Sequence, residues 1–157
     1  MKKLYVPIIT PFREDETVNY EALKKITKGL LSEGADGIYA GGSSAECFLM
    51  TMEERMKTLE TVISAADGAP VIAHIGAIGT KLSEELAVHA EKAGASMISS
   101  VPPFYFSYDF ESIKRYYWDL ADSVKLPLMI YNIPSNTCLI YTSPSPRDST
   151  SARMPGC

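Results

Sequence analysis

The sequence predicts an α/β fold built on a parallel sheet, and three observations carry that expectation. Apolar, β-branched runs alternate with segments of helical periodicity four times before a fifth run closes the series. Each strand-plus-helix unit takes about 25 to 35 residues, the length a right-handed crossover between parallel strands needs. Val71-Ile72-Ala73-His74-Ile75 is a near-continuous apolar run, as expected of a strand covered on both faces.

The elements follow in order. Leu4 to Ile9 reads as the first strand, and Thr10-Pro11-Phe12 closes it because Pro11 has no N–H for a ladder. Asn19 caps the first helix, with Leu23, Ile26, Leu30 and Leu31 on its apolar side, Lys24, Lys25 and Lys28 on the wet side, and Gly34 as its stop. Gly37 to Ala40 is the second strand. Thr51-Met52-Glu53-Glu54 is a capping box, so the second helix starts at Met52 and presents Met56, Leu59, Val62 and Ile63 until Asp67-Gly68-Ala69-Pro70 ends it. After the third strand, Val71 to Ile75, glycines 76 and 79 bracket the loop to a third helix. That helix packs Leu82, Leu86, Ala90 and Ala93 and stops at Gly94. Ser96 to Val101 is the fourth strand, and Asp109 caps a fourth helix with Ile113, Tyr116, Tyr117 and Leu120 at helical spacing. Pro127 to Tyr131 is the fifth strand, broken by Asn132-Ile133-Pro134.

Composition narrows the function classes. Apolar residues at 46% and charged residues at 22% are ordinary for a globular chain, and 157 residues are enough for one domain with a real core. A net charge of -4 carries no electrostatic footprint for nucleic acid or an anionic membrane, so neither partner is expected. The start, Met1 to Ile9, sets two lysines before an apolar run, but Pro7 interrupts it and it is too short for a secretion signal. Cys47, Cys138 and Cys157 are scattered without a C-x-x-C, which points to a reduced cytoplasm with no disulfide framework and no zinc site.

Chemistry is expected where the second strand ends. Gly41-Gly42-Ser43-Ser44 sets successive backbone N–H groups and two hydroxyls at a strand's carboxyl end, where α/β folds bind ligands. The order is neither a P-loop nor G-x-G-x-x-G, so a small carboxylate suits it better than a phosphate; the other reading is a tight turn that needs small residues. Tyr105 and Tyr131 stand just past the fourth and fifth strands, where a fixed phenol beside a serine can move a proton or simply pack. His74 falls within the third strand and reads as a buried, hydrogen-bonded residue; His89 reads as a helix-surface partner of Glu85. No metal-ligand spacing occurs, and no metal or organic cofactor is expected.

Taken together, four stretches resemble the class I pyruvate aldolases of the N-acetylneuraminate lyase and dihydrodipicolinate synthase family. They are Pro7-Ile8-Ile9-Thr10-Pro11-Phe12, Gly41 to Glu46, Pro103-Phe104-Tyr105-Phe106 and Tyr131-Asn132-Ile133-Pro134. The resemblance runs from about Leu4 to Thr137 and implies an incomplete (β/α)8 TIM barrel, strands 1 to 5 and helices 1 to 4, in a homo-tetrameric parent. It implies that Ser43 and Ser44, with Gly42 behind them, bind the carboxylate of pyruvate, and that Ser43 shares a proton relay with Tyr131. Tyr105 matches the tyrosine that family members donate across a subunit contact. The loop Pro103 to Phe110 is more similar to the lyases, and Asn136 stands where synthases carry an arginine for a second carboxylate; an amide does not replace a bidentate guanidinium. The resemblance therefore implies cleavage of a 2-keto-3-deoxy sugar acid to pyruvate and an aldehyde by the parent enzyme, with this chain expected to be inactive as a truncated form, and synthase-like condensation or a non-catalytic fragment or small-acid binding module as the alternatives.

The chain departs from the family in three places. Ala45 replaces the glycine usual before the glutamate, which would strain the turn if that position needs positive φ. The Schiff-base lysine of the family lies about 30 residues past the strand-five tyrosine, one βα unit on, and none of the ten lysines here occupies such a place. From Thr142 to Cys157 the chain has four Ser, two Thr, three Pro and two Arg, and no Leu, Ile, Val or Phe. Residues 139–157 thus read as a segment foreign to residues 1–138, either translated cloning or adapter DNA or a disordered tail.

Overall fold

The computed structural model describes residues 3–133; residues 139–157, Cys138, Cys157 and Asn136 lie outside the described residues. Five strands alternate with four helices: β1 Tyr5–Pro7, α1 Tyr20–Ser32, β2 Gly37–Ala40, α2 Met52–Ala66, β3 Val71–His74, α3 Thr80–Ala93, β4 Met97–Ser100, α4 Phe110–Ser123 and β5 Leu128–Ile130. Two short 3-10 turns, Ser43–Ala45 and Cys47–Leu49, connect β2 to α2. The sheet runs β1-β2-β3-β4-β5 with every neighbour pair parallel, so each helix returns the chain to the next position along one growing edge.

Local chemistry sets the helix starts. Asn19 Oδ1 accepts from the Ala22 N–H at 3.1 Å, and Asp109 Oδ1 from the Ser112 N–H at 2.7 Å. Both arms of the capping box form: Thr51 Oγ1 accepts from the Glu54 N–H at 3.2 Å, and Glu54 Oε2 accepts from the Thr51 N–H at 2.9 Å. The strands are shorter than their apolar runs. Beyond Pro7, β1 adds a bond from the Ile8 N–H to the Tyr39 carbonyl at 3.0 Å, and then turns away before Pro11.

Register sorts the strand residues onto two faces. Ile38, Ala40, Val71, Ala73 and Ile98 meet Leu23, Leu59, Val62, Leu86 and Leu120 of the helices in one core. Tyr39, Ile72 and Ser99 take the other face. Two expectations about the helices need correction. On α3, Ser83 and not Leu82 turns inward: Leu82 is exposed, while the buried Ser83 Oγ accepts from the Ala77 N–H at 3.0 Å and bonds the Tyr116 hydroxyl at 3.0 Å. The polar loop after β3 and the phenol of α4 give that hydroxyl partners that leucine cannot use. On α2 the buried stripe is rotated by a residue, with Arg55, Thr58, Leu59 and Val62 buried and Met56 and Ile63 only half-buried.

Candidate active site

Ser43, Ser44 and Tyr131 come together. With Tyr5, Pro7, Tyr39 and Gly42 they line a concavity of about 230 Å³ beyond the carboxyl ends of the strands, on the face away from the helices. Both serines are exposed, and among the described residues neither hydroxyl has a protein partner, so both remain available to a ligand.

The turn that presents them is held from behind. Gly41 takes φ +71, where a side chain would be strained, and its carbonyl accepts from the His74 Nδ1–H at 2.8 Å. His74 is thus the buried, bonded residue its place in the strand suggested. Its pKa is pushed down to about 4, first by burial and then by the nearby Arg55 cation, with the Gly41 carbonyl opposing. The ring is therefore neutral near pH 7, with Nδ1 carrying the proton that the Gly41 carbonyl accepts. At Gly42 a Cβ would stand 2.7 Å from Tyr39 Cε1, so the tyrosine packs directly beneath the turn and admits only glycine. The positive φ near the end of the motif falls on Glu46, at 56°, and not on Ala45, which sits buried inside the 3-10 turn. Alanine is therefore unstrained there.

Tyr39, missed in the sequence, links the two halves of the site. Its hydroxyl donates to Ser99 Oγ at 3.1 Å, and its ring meets that of Tyr131 edge-on with centroids 6.2 Å apart. Burial pushes the Tyr39 phenol up to about 12, against the pull of the Ser99 bond, so it stays protonated. The signal was an aromatic among aliphatic residues in a strand. Tyr131 is fixed at its own backbone, where its N–H donates to the Ser100 carbonyl at 2.9 Å.

Tyr105 is not brought to the concavity. It is 83% exposed, has φ +80 and meets Phe106 edge-on at 4.9 Å. Cys47 is buried, with its sulfur 3.6 Å from His74 Nδ1, and burial pushes its thiol up, away from reactivity. The expected His89–Glu85 pair is replaced by a contact between helices: His89 Nε2 lies 2.9 Å from Glu60 Oε1 on α2. Among the described residues no cluster of His, Cys, Asp and Glu has the arrangement of a metal site, and no helix is long and apolar enough to cross a membrane.

Solved structures share this arrangement. CdNal from Clostridium difficile, in complex with mannosamine, superposes with a TM-score of 0.85 at 31% identity over 96% of this chain and 52% of its own. The chloride-inhibited dihydrodipicolinate synthase of Acinetobacter baumannii, complexed with pyruvate, gives 0.83 at 31% identity over 87% of this chain and 47% of its own. The fold, with its ligand end at the strand carboxyl termini, is the N-terminal half of a TIM barrel. The chain belongs to the dihydrodipicolinate synthetase family, which it matches over residues 1–142. The N-acetylneuraminate lyase of Rhizobium meliloti (strain 1021) is 38% identical over 138 residues, 87% of this chain and 46% of the lyase. The chain spans about half the length of the relatives it matches.

Proposed function

We propose that the Ser43–Ser44–Tyr131 concavity is the keto-acid end of a Schiff-base aldolase site of the N-acetylneuraminate lyase type. In such a reaction a 2-keto-3-deoxy sugar acid is cleaved to pyruvate and an aldehyde, and the pyruvate carboxylate needs convergent donors while the reacting carbon needs a nearby acid-base group. Ser43 and Ser44 supply the donors, Gly42 lets the backbone approach, and Tyr131 with Ser43 moves the proton. The observation that carries this is the shared concavity itself: two free hydroxyls and a phenol from β2 and β5, with a wall of aromatic carbon between. The exposure and positive φ of Tyr105 suit a phenol offered to a neighbouring copy in a homo-tetramer. The lyase type is favoured over the synthase by the loop Pro103–Phe110, by Asn136 and by the lyase identity of the curated relatives.

Among the described residues no lysine lines the concavity. The amine of such a site would come from outside residues 1–138. These 157 residues therefore hold the acid in a cytoplasmic setting without turning it over. Titration with pyruvate shifts the amide resonances of residues 42 to 44, Ser43→Ala with Ser44→Ala weakens that response about tenfold or more, and borohydride traps no adduct. A trapped adduct on any lysine refutes the missing amine; shifts unchanged in the double variant refute the serine assignment.

A further inference from the structure

Behind the site, between α2, α3 and β3, lies a separate enclosed cavity of about 20 Å³, the size of one small occupant. Four polar side chains line it, those of Arg55, Thr58, His74 and His89. Arg55 is 8% exposed and donates through Nη2 to the His74 carbonyl at 3.2 Å, and among the described residues no carboxylate pairs with it. Thr58, 1% exposed, and the Nδ1 of His89 are buried with no protein partner among the described residues. The nearest carbonyls are already used, since that of His74 accepts from Arg55 and that of Gly41 from His74.

We propose that this cavity is a binding site for one small monovalent anion of chloride's size, held by Arg55 N–H and Thr58 O–H with the His89 ring beside it. Phosphate and carboxylates are too large for the space. Between water and a halide the charge decides: water satisfies a donor, but a buried guanidinium without a counter-charge still carries the penalty of its burial, and only an anion offsets that. Burial pushes Arg55 down from its ordinary pKa, the direction such a cation shows.

Crystals of the chain soaked in sodium bromide and measured at the bromine edge should show an anomalous peak against Arg55 and Thr58; density there without anomalous signal identifies water and overturns the proposal. In solution, replacing gluconate by chloride at fixed ionic strength should raise the thermal midpoint. Thr58→Val should weaken the chloride response about tenfold, the loss of one hydrogen bond to a charged group. Identical behaviour in the two salts, or an unchanged response in Thr58→Val, refutes the site, and the bromide measurement needs no variant to fold.

Discussion

Gly42 and His74 hold the serine turn from its two sides, and each makes a quantitative demand. A methyl group at Gly42 would stand 2.7 Å from the Tyr39 ring, a contact side chains do not tolerate without movement. Gly42→Ala should destabilise by about 1 to 3 kcal/mol and weaken pyruvate binding, because either Tyr39 or the turn must shift; an unchanged denaturation midpoint and unchanged pyruvate response would show the packing to be looser. His74 sets a pH dependence. Its folded pKa is about 4, below the ordinary 6.5, so the unfolded chain takes up the proton first as pH falls. The stabilisation is fully present above about 6.5 and is lost progressively down to about 4, by roughly 3 kcal/mol in all. His74→Gln should flatten the stability profile across that window; urea midpoints measured against pH that keep the full slope in the variant would assign it elsewhere.

At the scale of elements, caps and strand runs were legible in sequence because they rest on neighbouring residues. Asn19, Thr51 with Glu54, and Asp109 each find their partner within one helical turn. Thr51→Ala should cost about 1 kcal/mol, read as a drop in thermal midpoint, and retention of the parent midpoint would mean the box adds nothing. What sequence did not show depends on distant segments. Arg55 and Thr58 lie outside the apolar periodicity of α2, yet they turn inward because β3 supplies a carbonyl and α3 helps enclose a polar cavity. Leu82 and Ser83 exchanged roles because the Tyr116 hydroxyl, 33 residues away in sequence, waits for Ser83. His89 likewise pairs with Glu60 of α2, 29 residues away in sequence, and not with Glu85 on its own helix. At the site, the serine turn and Tyr131 were legible as motifs, whereas Tyr39 matters only once β2 is seen to pass beneath Gly42 and beside Tyr131.

Among the described residues the sheet is open, with β1 and β5 at its edges. Ile130, on the helix-facing side of β5, is 60% exposed, and Met129 beside it is also exposed. An apolar edge with unpaired backbone groups is a template for another strand. The chain should self-associate with rising concentration in sedimentation, and Ile130→Lys should reduce that; equal association in the variant would clear this edge of responsibility. The order of strands in space is also their order in sequence, and this has a consequence for synthesis. Each βα unit can dock on the edge left by the one before it, with no later segment required. A nascent chain emerging from the ribosome would therefore bring the Ser43–Ser44 turn and Tyr131 together as soon as the fifth strand docks.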